Sequence, residues 1–453
     1  MEFILINEKD NVKVSLSDGH KYAVRDIENG EPVIKYGFPI GRACSDIKAG
    51  EKVHSHNLKT DLSGACEYSY APSFSYPAAE PPITINAFAR KTGDIGIRND
   101  IWIIPSVGCV NKTAAILAEK TGAIAFSHPY GCSQLGADLE RTRKTLAGLI
   151  THPNAGGVLV LGLGCENNRI GELKAYLGSF DAERIRFLNA QDVPDEIAEG
   201  VKIIEELKKI CFADKREPLP ISKLRLGLKC GGSDAFSGII ANPMAGRVCD
   251  RLVSMGGAAV LTEVPEMFGA EKLLFERCVT KEVFDRAVKM VNGFKEYFVS
   301  HGQPVSENPS PGNKDGGITT LEEKSLGCIQ KGGISPVEGV LFCGERPKGR
   351  GLWLLDGPGN DIVSSTNLSA AHCHAILFTT GRGTPLGAPV PTIKIATNKA
   401  LAEKKRGWID FDASSGTVDG LFDLLAEVAG GRNTKNEING YRETAIFKDG
   451  VTL

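Results

Sequence analysis

The stretch Leu226–Gly246, LGLKCGGSDAFSGIIANPMAG, decides the fold of this chain. A short apolar run stops at Cys230, and a helix-forming segment follows a tight turn, so the pattern is strand, turn, helix. The turn consists of Gly231, Gly232, Ser233 and Asp234. Its glycines let backbone amides approach a ligand, and its serine and aspartate are residues that cap helices. The stretch therefore predicts an anion-binding turn at the end of a strand.

Four other apolar runs also end at residues with reactive or polar side chains. These residues are Cys109, His128, Cys132, Cys165, Glu166, Asn167, Glu263 and Glu266. Parallel α/β sheets bind ligands just outside the carboxyl ends of their strands. We therefore expect these side chains to have catalytic or ligand-binding roles. For a single turn of this kind, a small buried cysteine with glycines that only reverse the chain is an equally good explanation.

Composition limits the class of protein. The chain has 453 residues, is 42% hydrophobic and has a formal net charge of -2, so nothing electrostatic favours nucleic acid or an acidic membrane surface. No apolar run approaches the roughly 20 residues of a membrane span. The acidic start MEFILINEKD lacks a signal-peptide pattern, so we expect a cytoplasmic protein whose twelve cysteines are thiols or metal ligands rather than disulfides.

Three domains are predicted from the hydrophobic pattern. Residues 1–64 alternate short apolar runs with turns, which is typical of a small β domain, and the Pro/Ser/Tyr-rich residues 65–82 read as a linker. Strands then alternate with helical patterns over 83–218 and again over 219–453, so both parts are predicted to be α/β domains with largely parallel sheets. GLGCENN has Asn167 in place of the third glycine of a dinucleotide fingerprint, and no acidic residue follows at the required distance, so a nucleotide site is not predicted.

Two histidines close the small domain. His54 and His56 stand two residues apart in EKVHSHNLKT. If this segment is extended, both imidazoles lie on one face and can share a metal or a carboxylate. The alternative is a solvated strand face without function.

The last domain contains candidate substrate ligands. The segment 308–328 combines turn residues with charged ones, including Lys314, and is suited to a loop that folds over a polar ligand. Arg382 lies between glycines after a buried strand, where a guanidinium can bind a carboxylate in bidentate fashion. His372 and His374 precede that strand, so we interpret them as structural.

Several strings resemble the altronate and galactarate dehydratase family over nearly the whole chain. They are GCVNKTA, HPYGCSQLG, GLGCENN, GLKCGGSDAFSG, LTEVPEMFGAE, NPSPGNKDGG, GPGND, LFTTGRGTPLG, IKIATN and RETAIFKDGVTL. The small domain, with its VHSHNL ending, is similar to the SAF type. The resemblance, closer to the altronate enzymes in three of these strings, implies a hydro-lyase that converts altronate to 2-dehydro-3-deoxygluconate with iron(II) or manganese(II). HPYGCSQ and SAAHCHAIL depart from the family pattern.

The chemistry of such a reaction assigns roles. Removing water across C2 and C3 of a hydroxy acid needs a base, an acid and a group that stabilises the enediolate, which a metal can do. The candidate catalytic residues are His54, His56, Ser233, Asp234 and Glu263. The candidate substrate ligands are Gly231, Gly232, Lys314 and Arg382. The candidate metal ligands are His54, His56 and Cys230.

Other interpretations remain open. An iron–sulfur cluster held by Cys109, Cys132, Cys165 and Cys230 can replace the single ion. The substrate can be another aldonate or aldarate such as galactarate, or the chain can be a C–S lyase on a sulfonated hydroxy acid or a non-catalytic sugar-acid-binding protein. The expected partner is a small-molecule sugar acid, and neither nucleic acid nor a membrane is expected. A homo-oligomer is possible.

Overall fold

The N-terminal part is a small antiparallel β domain. The structure is a computed structural model that describes residues 2–453. The strands of this part are β1 (Phe3–Ile4), β2 (Val12–Ser15), β3 (Lys21–Ala23), β4 (Pro32–Lys35), β5 (Phe38–Ala43), β6 (Lys52–Val53) and β7 (Leu58–Lys59). They form two sheets, in the orders β1-β2-β3-β6 and β4-β5-β7. Alternating apolar residues such as Val12, Val33 and Ile40 fill the space between them.

The linker is extended and lies along the last domain. Residues 65–82 contain neither helix nor strand. Tyr68 donates a hydrogen bond to Glu271 at 2.5 Å, and Tyr70 donates to the carbonyl of Cys278 at 3.4 Å. Its tyrosines therefore hold this segment against the last domain.

The middle part contains a four-stranded parallel sheet and a small antiparallel sheet. Its strands are β8 (Thr84–Ala89), β9 (Ile95–Gly96), β10 (Asp100–Pro105), β11 (Ile124–Ala125), β12 (Ala155–Gly162), β13 (Ile185–Asn189) and β14 (Glu217–Pro220). The parallel sheet has the order β11-β10-β12-β13, and the antiparallel one has the order β14-β8-β9. The β14 strand thus returns the chain to β8 before the last domain begins.

Four helices cover the parallel sheet. They are α1 (Asn111–Thr121), α2 (Gly136–Ile150), α3 (Ile170–Lys174) and α4 (Glu196–Ala213). Gly122 ends α1 in the left-handed conformation (φ 71°), and the Asp195 side chain caps α4 by accepting from Ala198 N. Both residues therefore stabilise a helix end.

The last part is built on a seven-stranded, wholly parallel sheet. Its strands are β15 (Arg225–Cys230), β16 (Ala258–Leu261), β17 (Val337–Leu341), β18 (Gly351–Leu355), β19 (Ala375–Thr380), β20 (Thr392–Ala396) and β21 (Phe411–Asp412). The order is β17-β18-β16-β15-β19-β20-β21. The strand that contains Cys230 is central, so its carboxyl end lies in the middle of the edge where parallel sheets bind ligands.

Helices lie on both faces of this sheet. They are α5 (Asn242–Ser254), α6 (Glu271–Phe275), α7 (Lys281–Ser300), α8 (Pro311–Asp315), α9 (Leu321–Cys328), α10 (Asp361–Ala370), α11 (Lys399–Lys404), α12 (Val418–Ala429) and α13 (Lys435–Ile438). Asn242 is the first residue of α5, but its side chain does not cap the helix: it donates to Gly327 O and accepts from Thr379 Oγ1.

The two α/β parts share apolar core. One buried cluster joins Trp102 and Val158 of the middle sheet to Ile376 and Phe378 of the last sheet. The α/β class with a small β domain is confirmed. Among the described residues, the structure contains no helix whose length and apolar content would let it cross a membrane.

Candidate active site

A buried lysine marks the end of the central strand. Lys229 is fully buried, and its ammonium contacts the carboxylate of Glu263, that of Asp361 at 2.7 Å and the carbonyl of Cys230 at 2.6 Å. Burial opposes the charged form, but the carboxylates of Glu263 and Asp361 outweigh it and raise the pKa of Lys229. The lysine therefore stays an ammonium next to the strand end.

Glu263 faces this lysine from the neighbouring strand. It follows β16 in the left-handed conformation (φ 72°), which is uncommon for a residue other than glycine. One carboxylate oxygen accepts from the amide of Cys230 at 3.0 Å and from Lys331 at 3.2 Å. Burial and the nearby Glu266 carboxylate raise the pKa of Glu263, and the two lysines oppose this. The sequence prediction placed Glu263 at a strand end, where it lies.

Two thiols and a carboxylate lie beside this ion pair. Cys230 Sγ is 3.4 Å from Cys328 Sγ, and Glu266 Oε2 is 3.2 Å and 3.0 Å from the two sulfurs. The other Glu266 oxygen accepts from Lys324 at 2.8 Å. Within residues 2–453, this is the group of three Cys, His, Asp or Glu side chains whose donor atoms lie close enough to share one ion. His54 and His56 are not part of it.

The predicted turn is tightly bonded within the protein. The Asp234 carboxylate accepts from Ser237, Thr397 and Asn398, and burial raises its pKa despite these donors. The amide of Gly231 donates to Thr379 O at 3.1 Å. Asp234 therefore stabilises the turn, and its oxygens are engaged without a ligand.

The remaining turn residues lie closer to the thiols. Ser233 donates to Cys230 Sγ at 3.3 Å, and its carbonyl accepts from Asn313 at 2.9 Å. Gly232 adopts φ 62°, and its carbonyl accepts from the amide of Arg382 at 3.0 Å. The turn thus places Ser233 beside the thiol of Cys230 and the backbone of Arg382 beside Gly232.

The predicted substrate ligands Lys314 and Arg382 lie on and beside α8, which is near the turn of residues 231–234. Arg382 is exposed, and its guanidinium donates to Gly312 O at 3.3 Å. Lys314 is half-buried in α8. Neither side chain has an acidic partner within salt-bridge distance in the part of the chain that the structure describes, so both can accept an anionic ligand.

The two histidines do not share a strand face. The segment 54–57 is a turn between β6 and β7, in which the Asn57 side chain accepts from His54 N and donates to Lys52 O. The prediction of an extended segment is wrong because asparagine stabilises a turn here. His54 Nε2 lies 3.0 Å from Lys314 O, whereas His56 is exposed. Burial lowers the pKa of His54.

The small domain covers the site through buried charges. Lys21 and Lys35 contact Glu323 of α9 at 2.8 Å and 2.7 Å, and all three side chains are at most 1% exposed. Tyr36 lines a cavity of about 10 Å³ together with Ser233. A cavity of that size holds at most one water. The site is therefore closed by the small domain.

The four cysteines of the predicted cluster lie in two places. Cys230 is buried in the last domain, whereas Cys109, Cys132 and Cys165 are exposed at the carboxyl ends of strands in the middle sheet. The structure therefore separates three exposed thiols from one buried thiol.

A larger cavity than the one beside Ser233 lies at the opposite ends of the strands. It measures about 530 Å³ and is bordered by Arg90, Arg184, Arg225, Arg346 and His372, among others. It opens beside the amino ends of β12 and β15, away from Lys229 and the thiols. This cavity is larger than the one beside Ser233, but ligand sites in parallel α/β sheets lie at the carboxyl ends of the strands. We therefore place the active site at the carboxyl ends, beside Lys229 and the thiols.

His372 and His374 lie at the floor of that cavity and beside it. His374 accepts from Arg225 N and bonds Ile95 O with its other nitrogen. His372 adopts φ 63° and lies 3.1 Å from Thr151 Oγ1. Burial, reinforced for His372 by Arg225 and Arg346, lowers the pKa of both imidazoles.

Comparison with known proteins identifies the family. Models described as the SAF domain, the second domain and the C-terminal domain of D-galactarate/altronate dehydratases match residues 11–61, 87–211 and 221–452. The chain is 49% identical to altronate dehydratases of Bacillus subtilis (strain 168) and Escherichia coli (strain K12), over 100% of this chain and 99% and 100% of theirs. The chain belongs to the altronate/galactarate dehydratase family. The predicted resemblance is thereby confirmed.

A relative with another activity also matches this family member. The beta subunit of (2R)-sulfolactate sulfo-lyase from Chromohalobacter salexigens is 33% identical over 81% of this chain and 97% of the subunit. Its alpha subunit is 51% identical over 11% of this chain and 52% of the subunit. The family architecture therefore also occurs in an enzyme made of two subunits.

Sequence reasoning missed most of the buried charges and one thiol. It gave no role to Lys229, Lys324, Lys331, Cys328 and Asp361, and it named Glu266 only as a residue that ends an apolar run. Lys229 could have been recognised from the sequence, because a lysine inside the apolar run LGLKC is buried and a buried ammonium needs a carboxylate partner. The others lie on helices or loops whose position at the strand ends depends on the tertiary fold.

Proposed function

We propose that this protein is a hydro-lyase that converts D-altronate to 2-dehydro-3-deoxy-D-gluconate and water. The observation that carries this proposal is the 49% identity to two altronate dehydratases over the full chain. The buried acid–base group at the strand ends supports the same chemistry. We also propose that the protein acts in the cytoplasm on this small molecule, and that it forms homo-oligomers.

The buried group can move protons and stabilise charge. Dehydration removes the C2 proton and the C3 hydroxyl, and the enol that forms becomes the 2-keto acid when it takes up a proton at C3. Lys229 and Lys331 are ammoniums positioned to stabilise the enediolate, and Glu263 between them is positioned to carry the C2 proton. Arg382 and Lys314 are positioned to bind the substrate carboxylate.

The substrate enters only if the cover moves. A sugar acid does not fit the cavity of about 10 Å³ between Tyr36 and Ser233. Opening therefore requires displacement of the small domain or of the segment 308–320. His54, which contacts Lys314 O, and His56 move with that cover, so their proposed catalytic role depends on closure.

Cys230, Glu266 and Cys328 fit a single divalent ion. Their donor atoms lie 3.0–3.4 Å apart, and two sulfurs with one oxygen suit iron(II) better than manganese(II), which prefers oxygen ligands. When bound, the metal supplies Lewis-acid stabilisation of negative charge on the substrate. We expect a chelator to abolish dehydration, iron(II) to restore it better than magnesium, and Cys230→Ser to lower the iron bound per chain.

The assay is a panel of aldonates and aldarates incubated anaerobically with iron(II) or manganese(II). We expect altronate to release a 2-keto acid detectable with semicarbazide, and Lys229→Met to lower kcat/KM by about 10²–10³-fold. Lys281→Met, at an exposed lysine of α7, is the matched control and leaves kcat/KM unchanged. Turnover of galactarate but not altronate would contradict the substrate, and binding without turnover would contradict the enzyme.

A second candidate is C–S cleavage of a sulfonated hydroxy acid. It is favoured by the match of both subunits of a (2R)-sulfolactate sulfo-lyase to this chain. The lower identity makes it the weaker candidate. Sulfite release from sulfolactate, measured beside the altronate assay, distinguishes the two.

A further inference from the structure

Three of the five exposed cysteines lie at one edge of the middle sheet. The exposed cysteines are Cys44, Cys66, Cys109, Cys132 and Cys165. The last three follow β10, β11 and β12, which are parallel neighbours in the order β11-β10-β12. Their carboxyl ends therefore meet at one edge. Free cysteine is among the most buried residue types, so three exposed thiols on adjacent strands need a chemical explanation.

Hydrogen bonds tie the three cysteine loops together. The amide of Gly108 donates to Tyr130 O at 2.8 Å, which joins the loop of Cys109 to that of Cys132. The amide of Asn168 donates to Gly131 O at 2.9 Å, which joins the loop of Cys132 to that of Cys165. The three thiols therefore belong to one bonded loop cluster.

The backbone around Cys132 is held in an unusual conformation. Gly131 has φ 100° and Ser133 has φ 57°, so left-handed residues flank the cysteine on both sides. A Cβ atom at position 131 would lie 2.1 Å from Ser106 O, so only glycine fits. Strain of this kind persists where surrounding structure fixes a ligand-binding geometry. The conformations of Gly131 and Ser133 therefore fix the orientation of the Cys132 side chain.

Two features near these cysteines are of the kind found around metal-bound sulfur. Cys109 lies two residues before α1, and the N-terminus of a helix favours nearby anions. Gln191 donates to Cys165 Sγ at 3.5 Å, a kind of hydrogen bond that tunes sulfur ligands in metal clusters. Both features suit thiolates that hold a metal cluster.

We propose that Cys109, Cys132 and Cys165 bind a [4Fe–4S] cluster whose fourth iron is open to a carboxylate or hydroxyl oxygen. Thiolates are the ligands that select such clusters. Each thiolate of such a cluster binds a different iron, so the three sulfurs need not lie within the 4.8 Å that places Cys230 and Cys328 around one ion. The proposal concerns binding of the cluster and does not depend on the substrate of the dehydration.

The assembly balances without net oxidation or reduction. Each of the three thiols releases one proton, and two iron(II), two iron(III) and four sulfide ions form a core of charge 2+. With three thiolates the bound cluster has a charge of 1−, which the helix N-terminus near Cys109 favours.

The test is anaerobic reconstitution of the full chain with iron(II), iron(III), sulfide and dithiothreitol. We expect about four acid-labile sulfide per chain, and about four iron in addition to the one ion expected at Cys230, Glu266 and Cys328, with visible charge-transfer absorption. Cys109→Ser, Cys132→Ser and Cys165→Ser should each lower sulfide at least about fivefold. Cys44→Ser and Cys66→Ser, at exposed thiols elsewhere, and Cys230→Ser, at the buried site, should retain it. Wild-type protein without sulfide above background, or retention in the three variants, would overturn the proposal.

A second measurement needs no variant. Wild-type chain is alkylated before and after reconstitution, and each cysteine is quantified by mass spectrometry. After reconstitution of the cluster, Cys109, Cys132 and Cys165 should all be protected from alkylation, while Cys44 and Cys66 are still alkylated. Equal alkylation of all five after loading would contradict the assignment even if the serine variants fail to fold.

Discussion

Glu323→Gln should release the small domain from the rest of the protein. Glu323 is the carboxylate partner of Lys21 and Lys35, and the three side chains are at most 1% exposed. Lys21 keeps Gly317 O and Thr319 Oγ1, both at 2.8 Å, whereas within the described chain the ammonium of Lys35 keeps only the Tyr36 hydroxyl. Removing one member of a buried ion pair costs about 3–5 kcal/mol, because the remaining charge is stranded.

The measurement is hydrogen exchange and urea denaturation of the full chain. We expect faster exchange in β3 and β4 and a loss of about 3–5 kcal/mol from the free energy of docking. Asp61→Asn, which breaks the exposed pair of Asp61 with Arg42, is the control and should cost at most about 1 kcal/mol. A cost below about 1 kcal/mol for Glu323→Gln would refute the view that this pair holds the cover in place.

The same carboxylate predicts a pH dependence. Burial opposes ionisation, but Lys21 and Lys35 lower the pKa of Glu323 to about 2 from its ordinary 4.5. A carboxyl whose folded pKa is depressed stabilises the protein above 4.5 and loses that contribution as the pH falls towards 2. Docking should therefore weaken between pH 4.5 and 2 in the wild type, and this component should be missing from Glu323→Gln.

Four further outcomes are expected. Glu263→Gln should lower kcat/KM by about 10²–10⁴-fold if it carries the C2 proton, and steady-state kinetics that match the wild type would contradict that role. Arg382→Lys should lower kcat/KM at least about tenfold, since a lysine cannot make the bidentate contact; an unchanged value argues against the clamp. A chain starting at Ile83 should fold, as circular dichroism will show, yet lose nearly all turnover because the cover is gone; full turnover would exclude a role for the small domain. Burial lowers the pKa of His372, so the free energy of unfolding should decrease as the pH falls below 6.5, where the imidazole is protonated only in the unfolded chain. His372→Asn should reduce the slope of the unfolding free energy against pH by up to about 1.4 kcal/mol per pH unit, measured by urea denaturation at several pH values. Equal slopes in the two proteins would contradict a buried neutral imidazole.

The sequence predicted the fold class well because its signals are local. Apolar runs that stop at Cys109, Cys165 and Cys230 gave the strands of both parallel sheets, and the turn-rich start gave the small β domain. The segment at His54 shows the limit. Its two-residue spacing suggested a strand, but Asn57 bonds back across the turn, and the local hydrogen bond decides the conformation.

By itself the sequence determined which residues end the strands, and so which edge of each sheet carries thiols and carboxylates. Only the tertiary structure decided how these edges are completed. Glu263 was assigned from its strand, but Lys331 reaches it from a segment 68 residues later, and Glu323 meets Lys21 across 302 residues. Such partners have no spacing that a sequence reveals, because charge pairs are selected by distance in the folded protein and buried charges are stable only when the fold brings the partner to them.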